Sequence, residues 1–431
     1  MKILYVSQYF PPEMGAPAAR AAELSRHWAR MGHDVTVLTG FPNHPTGVVP
    51  EEWRSRLRGL VYKEIFDAGF VRTGVSAPHG VCVVRTWLWP LPNRKAHERI
   101  RNYASFCLSS AITGLDLDRP EVVIGTSPQL LVALSAWWLA WWKGAPFVFE
   151  VRDLWPESLA AVGAGGERGL LHRTLGAIAG FLYRRANHVV VVSPAFKDHL
   201  IRRWQVPEAK ISVVENGVET DLFCADPAAR DVRKKLQLEN HFLICYIGTM
   251  GMAHGLETLI AAAERLRTAL PAATFLLIGE GSEKQRIAEL AAARGLTNIR
   301  FLDQQPRERI PAYISAADLC LVLLKKTELF KTVIPTKLLE YMACERPVIV
   351  AVDGQARQMV EAAEAGVFVE PEDSDALVRA ILTLATDPQR RQRMGIRGRQ
   401  YIVRQLSRER TAQNYLAVLD KLTSAEMRRG R

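Results

Sequence analysis

Residues 242–281 read FLICYIGTMGMAHGLETLIAAAERLRTALPAATFLLIGEG, and this stretch decides the fold. It holds an unbroken apolar run, Phe242–Gly248, and then a glycine-containing loop, Gly248-Thr249-Met250-Gly251. A helical pattern over Leu256–Leu270 follows, then a second apolar run, Thr274–Gly279, and a second loop, Gly279-Glu280-Gly281. Apolar runs without polar alternation suit strands covered on both faces, and the helix between them is the crossover that joins parallel neighbours. The stretch therefore predicts one turn of a doubly wound parallel sheet. Position 284 is Lys, so the second loop lacks the third glycine of a dinucleotide fingerprint, which disfavours a nicotinamide dehydrogenase.

The same alternation runs outward in both directions. Downstream, strands are predicted at Ile299–Phe301, Leu319–Val322, Val348–Val350 and Val367–Val369, with helices at Glu283–Arg294, Ile310–Ala316, Lys337–Ala343 and Ala376–Thr386. Upstream, strands are predicted at Ile3–Ser7, Val35–Thr39, Val81–Arg85, Val122–Gly125, Phe147–Val151, Val189–Ser193 and Ile211–Val214, with helices at Ala18–Met31 and Leu175–Arg185 among them. The polar stretch from Asn216-Gly217 to Leu238 interrupts the pattern. The fold class is α/β, with two Rossmann-like doubly wound domains at 1–220 and 221–400 and a cleft expected between them. An Arg-rich helix beginning at Arg408, within 401–431, is expected to pack back on the first domain. A chain of 431 residues exceeds one hydrophobic core, which agrees with two domains.

Composition excludes several classes. The chain is 48% hydrophobic and 23% charged, ordinary for a globular protein. The apolar run behind Lys2 ends at Pro11-Pro12, too short for a secretory signal. Six scattered cysteines without a C-x-x-C pair fit thiol packing in a reducing cytoplasm. Net charge is +11, and residues 389–431 hold twelve Lys/Arg against three acids. That excess predicts a polyanionic partner such as an anionic lipid surface. Nucleic acid is disfavoured, because the basic run has few interleaved aromatics and no reader motif. Leu130–Trp142 carries four Trp in 13 residues, too short to span a bilayer but suited to a buried helix or a membrane interface. Trp87-Leu88-Trp89-Pro90-Leu91-Pro92, followed by Arg94 and Lys95, is a second aromatic–basic stretch.

Four motifs are candidates for chemistry. Gly15 in the first strand-to-helix turn permits close backbone approach ahead of a helix amino end. Gly248, Thr249 and Glu280 lie at strand ends, where backbone amides can face a diphosphate. Arg152 and Asp153 follow the strand Phe147–Val151, placing a cation and a carboxylate at its carboxyl end. Pro335-Thr336-Lys337-Leu338-Leu339-Glu340 starts a helix, with Thr336 as its expected cap. Lys337 would then stand beside free backbone amides, and Glu340 could accept both hydroxyls of a ribose. Charges on so apolar a helix require a partner or a ligand. Asp116-Leu117-Asp118 has the spacing of a metal motif but precedes a strand instead of following one, so no metal is expected.

Taken in order, these motifs give a resemblance. The opening strand with its Gly15 loop, Met31-Gly32-His33-Asp34-Val35-Thr36-Val37-Leu38, Val214-Glu215-Asn216-Gly217-Val218, Gly279-Glu280-Gly281 and Lys337–Ala343 resemble the retaining glycosyltransferases of family four, which have the GT-B fold. Thr126-Ser127-Pro128, Arg152–Glu157 and Pro335-Thr336-Lys337 are similar to the fucosamine and colanic-acid transferases of bacterial surface polysaccharides. The resemblance implies a nucleotide-sugar donor, UDP by preference, bound by the second domain with Glu340 on its ribose, Glu280 by the nucleotide and Gly15 near the phosphates; Gly248, Thr249, Lys331, Pro335 and Thr336 are the other candidate donor contacts. It implies Arg152 or Asp153 by the transferred sugar, an undecaprenyl-diphosphate-linked saccharide as acceptor, no cofactor, and a cytoplasmic enzyme peripheral on the inner membrane face. Two departures stand out. Thr332 occupies the place of the family's first motif Glu, and the usual Arg and Lys would fall near Thr249 and His254. Lys337, helped by Arg152 or Lys331, is expected to supply the missing charge. The rivals are a nucleotide-sugar epimerase of similar fold and a non-catalytic binding protein at a membrane surface.

Overall fold

The computed structural model describes residues 1–44, 46–66, 80–91, 96–127, 129–157 and 169–429. Pro128, Arg94 and Lys95 lie outside them. The chain forms two units, residues 1–216 with 408–431 and residues 217–407. Strands of the first are β1 (Lys2–Val6), β2 (Asp34–Gly40), β3 (Val61–Phe66), β4 (Val81–Thr86), β5 (Val122–Thr126), β6 (Phe147–Val151), β7 (His188–Val191) and β8 (Ile211–Val213). Its helices are α1 (Ala16–Arg30), α2 (Glu51–Leu57), α3 (Ala96–Thr113), α4 (Leu130–Lys143), α5 (Leu170–Arg185) and α6 (Pro194–Trp204). The sheet order is β3-β4-β2-β1-β5-β6-β7-β8, parallel except for β3 against β4.

The second unit holds α7 (Ala229–Leu236), β9 (Phe242–Ile247), α8 (Glu257–Ala269), β10 (Ala273–Ile278), α9 (Lys284–Ala293), β11 (Ile299–Leu302) and α10 (Ile310–Ala316). It continues through β12 (Leu319–Leu323), α11 (Thr336–Ala343), β13 (Val348–Ala351), α12 (Gln355–Ala362), β14 (Gly366–Phe368), α13 (Ser374–Ala385) and α14 (Pro388–Gln405). Its sheet is wholly parallel in the order β11-β10-β9-β12-β13-β14. Helices cover both faces, so β10 and β12 are buried at every position. The winding reverses between β9 and β12 here and between β1 and β5 in the first sheet. Such a switch point opens a crevice at the carboxyl ends of the two strands, because their following loops diverge.

The last helix, α15 (Arg408–Arg429), belongs to the first unit. The Trp28 indole donates to the Ala412 carbonyl at 3.1 Å and meets the Tyr415 ring edge-on at 5.3 Å. Arg408 pairs with Glu23 at 2.7 Å, with both side chains buried. The basic run is shared between the two units. Its first part lies on α14 of the other unit, where Arg399 donates to the carbonyls of Ala343 and Phe223, and Arg391 to those of Leu384 and Ala385. Arg391 and Arg399 thereby close helix ends, while Arg393, Arg397, Arg404, Arg410 and Lys421 are exposed.

Strand β3 was not expected. Its burial alternates exposed and half-buried along an antiparallel edge, so no continuous apolar run marks it. Helices α2, α3, α6, α7, α12 and α14 also add to the expected set. Among the described residues no helix is long and apolar enough to cross a membrane.

Candidate functional site

The second unit's crevice is assembled on α11. Tyr341 is buried on this helix, and its hydroxyl accepts from the Ile247 amide at 2.8 Å and donates to the Ile247 carbonyl at 3.0 Å. That double bond pins the helix to the end of β9. Lys337 is one turn earlier on the same face, so its side chain is laid across Gly248. A Cβ at Gly248 would meet Lys337 Nζ at 2.9 Å and Cε at 3.0 Å, and the residue has φ +140°, so only glycine leaves this path open. Nζ stands 3.8 Å from the centroid of the Tyr246 ring and has no hydrogen-bond partner. Loss of water pulls the ammonium down to about 7, opposed by the charge of Glu340.

His254 crosses the switch point. Its Nδ1 meets the Leu323 carbonyl at 3.2 Å, which requires the hydrogen on Nδ1 and leaves Nε2 unprotonated. Burial, with Lys337 adding to it, lowers the imidazole to about 3, so the ring is neutral. A neutral ring here leaves Lys337 as the cation over the end of β9.

Glu340 is not free to meet a ligand unaided. Arg307, from the turn before α10, reaches Oε1 at 2.9 Å and lies over the Phe223 ring. The arginine orients the carboxylate. Sequence reasoning missed Arg307, which falls in no motif, and gave no role to Tyr341, which lies inside the segment Lys337–Ala343. Thr336 is the first residue of α11 and makes no side-chain cap; Pro335 is the capping position. Pro335 holds the extended conformation that a hydroxyl cap would otherwise secure, so Thr336 is displaced inward.

The glycines at the strand ends have a packing role first. A Cβ on Gly279 would strike the Gly248 carbonyl at 2.1 Å, and one on Gly281 the Met250 carbonyl at 2.2 Å. The Gly248 amide donates to Ile278 and the Met250 amide to Glu280, so these amides are spent on joining the loops. Thr249 accepts the Tyr246 hydroxyl on its carbonyl at 2.7 Å. The Glu280 carboxylate pairs with Lys284 at 2.6 Å. Lys331 pairs with Glu328 at 2.7 Å and lines a cavity of about 230 Å³ with Lys325, Lys326 and Asp353.

In the first unit, Ser127 Oγ accepts from the amides of Arg152 at 2.6 Å and Asp153 at 3.2 Å, which fixes the turn after β6. Beneath it Glu150 accepts from Arg20 at 2.8 Å and from Tyr5 at 2.7 Å, all buried. Arg152 Nε and Nη1 are buried without partners, and burial with the neighbouring Arg20 lowers the guanidinium. Burial raises Asp153 to about 6, opposed by Arg152. Gly15 caps α1 and borders a second cavity, of about 240 Å³, at the β1–β5 switch point. Glu13 lies in that cavity and carries no motif. The Asp116–Asp118 segment is a turn before β5, and no group of three or more metal-ligating side chains occurs among the described residues.

Two family descriptions match this chain in succession. "Glycosyl transferase 4-like domain" takes in residues 15–217 and "Glycosyl transferases group 1" residues 229–401, together most of the length. The chain is a glycosyltransferase, with the group 1 match confined to its second part. The enzyme is 27% identical over 397 residues to WcaI of Escherichia coli K12, named as a glycosyl transferase of colanic acid biosynthesis, covering 88% of this chain and 91% of that one. It is 32% identical over 302 residues to D-inositol 3-phosphate glycosyltransferase of Salinispora tropica, covering 65% and 60%. Its fold matches sucrose-phosphate synthase from Thermosynechococcus elongatus with a TM-score of 0.77 at 21% identity, over 98% and 99% of the two chains. It matches HepE from Anabaena, solved with UDP-glucose, with a TM-score of 0.70 at 18% identity over 98% and 100%. This glycosyltransferase thus has the GT-B fold of two Rossmann-like domains.

Proposed function

We propose that this glycosyltransferase moves a sugar, an N-acetylated amino or deoxy sugar, from a UDP donor to an undecaprenyl-diphosphate-linked saccharide, with retention and without a metal, in bacterial surface-polysaccharide synthesis. The observation that carries the proposal is the buried, unpartnered Lys337 ammonium at the end of β9, beside the amino end of α11. An isolated cation in a dry crevice is unfavourable unless a ligand supplies the anion. A leaving diphosphate does so, and its growing charge in the transition state is met by Lys337 and the first amides of α11. Glu340, held by Arg307, accepts the ribose hydroxyls. The loops at Gly248-Thr249 and Glu280 bound the nucleotide. Arg152 and Asp153 bind the transferred sugar, and the acceptor attacks from the face the nucleotide leaves. The bound UDP-glucose of HepE and the name of WcaI support the donor class and the polysaccharide setting.

The acceptor is lipid-linked, so the enzyme works peripherally at the inner face of the membrane. Support comes from the paired helices α3 and α4. Leu108, Ile112, Trp141 and Trp142 are exposed there, and Trp138, Trp141 and Trp142 cluster with centroids 5.2–6.5 Å apart. Aromatic clusters of this kind favour the headgroup region.

The test is a thermal-shift screen of the full chain against UDP, GDP and their common sugars, followed by product analysis with a membrane lipid fraction. A UDP-sugar should raise the melting temperature by mass action and release UDP only when the acceptor is present. EDTA should leave turnover intact. Conversion of the donor into an epimer without acceptor would replace this proposal with the epimerase, and no nucleotide effect at all would remove the enzyme.

A further inference from the structure

The turn after β6 holds a cation that the protein leaves unanswered. The backbone of Arg152 is fixed, because Ser127 Oγ accepts from its amide and the Ser127 amide donates to the Glu150 carbonyl at 2.9 Å. A guanidinium carries five N–H donors and no acceptor. Nε and Nη1 of Arg152 are buried and have no hydrogen-bond partner. The residue as a whole is half-buried, so a ligand has an approach to it.

Its neighbours do not supply the missing anion. Oε1 of Glu150 accepts from Arg20 Nε at 3.0 Å and Nη2 at 2.8 Å, and Oε2 accepts from Tyr5 at 2.7 Å. That carboxylate is therefore spent on Arg20 and Tyr5. Arg20 is 1% exposed and is a like charge, which disfavours a second cation beside it. Asp153 follows directly in the chain, yet its carboxylate makes no hydrogen bond to the buried nitrogens of Arg152. Beneath the cluster the rings of Tyr5, Trp28 and Tyr415 are completely buried and pack in series, with centroids 5.8 Å and 5.3 Å apart. Relief for the guanidinium has to come from its open side.

The chemistry of that relief selects the ligand. A buried cation is unfavourable unless a counter-charge joins it. A sugar hydroxyl would accept one hydrogen bond and leave the charge unanswered. A carboxylate answers both needs, since its two oxygens match two N–H groups of the planar guanidinium. The leaving diphosphate already has Lys337 and the first amides of α11, so the anion for Arg152 belongs to the sugar. We infer that the transferred sugar is acidic, a hexuronic acid whose exocyclic carboxylate pairs with Arg152. Within the proposed class this selects an N-acetylated amino uronic acid over a neutral sugar. The inference rests on the reading that puts the transferred sugar at Arg152, and it narrows that sugar's class. Arg152 then determines specificity without touching the bond that breaks.

The test is calorimetric titration of the full chain near neutral pH with UDP and with three matched pairs of donors. The pairs are UDP-glucose and UDP-glucuronic acid, UDP-galactose and UDP-galacturonic acid, and UDP-N-acetylglucosamine and UDP-N-acetylglucosaminuronic acid. In at least one pair the acidic donor should bind about tenfold tighter than its neutral counterpart, the gain of one charge-assisted pair. Arg152→Gln should abolish that preference and leave the affinity for UDP itself unchanged. Its melting temperature should hold, because the lost group is an unpartnered buried charge. Arg152→Lys keeps the charge without the fork and should retain part of the preference. Equal binding within all three pairs, or an acidic preference that survives in Arg152→Gln, would overturn the inference. Weakened binding of UDP itself in Arg152→Gln would assign the guanidinium to the diphosphate and overturn it too. In each of these cases the donor reading stands, whereas no binding of UDP or of any of the six donors would defeat that reading and this inference with it.

Discussion

The two switch points of this molecule are built alike and charged oppositely. Each lies where a parallel sheet reverses its winding, at the carboxyl ends of two diverging strands. The one beside β9 holds an ammonium, Lys337, brought down to about 7 by burial. The one beside β1 holds a carboxyl, Glu13, brought up to about 7 by burial against the opposing amides of Asn43 and His44. The same loss of water moves both groups toward neutrality, from opposite directions. Sheet winding thus determines where a ligand can enter, and one buried side chain determines the sign of what it accepts. The proposed diphosphate leaving group has the charge that the first site calls for.

Removing the cation is the sharpest way to break this contrast. Lys337→Met keeps the length of the side chain and deletes its charge. Turnover should fall ~10²–10³-fold, the effect of losing one preorganised donor to a developing oxyanion. The melting temperature should hold or rise, because an unpartnered buried amine is replaced by an apolar group. Full turnover in this variant would end the donor assignment. Gly248→Ala comes next. The substituent would meet Nζ, and the backbone is strained for any side chain, so a cost of about 1–3 kcal/mol in stability is expected together with a lower kcat. Wild-type stability with poorer turnover would point to a displaced ammonium alone.

Titration separates the two crevices further. Lys337 binds its proton less tightly in the folded chain than when unfolded, so it contributes rising stability between about pH 7 and its ordinary range near 10.5. A diphosphate that binds the ammonium restores the proton. Calorimetry of UDP at pH 8, in buffers of different ionisation enthalpy, should therefore show net proton uptake that vanishes in Lys337→Met. Glu13 has the opposite sign. Its folded value is raised, so its penalty grows from about pH 4.5 to about 7 and is constant above. Denaturation of Glu13→Gln against the parent should show the variant gaining on the order of 2–3 kcal/mol between pH 5 and pH 8. The smallest effect is at the surface. Trp141→Glu with Trp142→Glu should reduce co-sedimentation with vesicles of anionic phospholipid severalfold and leave the nucleotide-induced thermal shift untouched.

Much of this was legible in the chain. The runs at Phe242–Gly248 and Thr274–Gly279 are strands because, Thr274 apart, they carry no polar side chain, the requirement of a parallel strand covered on both faces. Pro335 and Lys337 mark the start of α11 by ordinary helix chemistry. The edge strand β3 was not legible, since Val61–Phe66 is half in water and obeys no single hydrophobic pattern. Nor were the purposes of Gly279 and Gly281. Their sequence context suits a phosphate loop, yet their missing side chains make room for the carbonyls of Gly248 and Met250.

By itself the sequence determined the doubly wound class, its two-part division and the strand ends that carry polar residues, because local periodicity and glycine placement encode these. Only the tertiary structure decided which charges are spent internally and which face a ligand. Arg408, Arg399 and Lys331 find partners far along the chain or beside them, whereas Lys337 has none. Pairing depends on distances that packing sets, and burial sets the proton affinity of whatever remains unpaired.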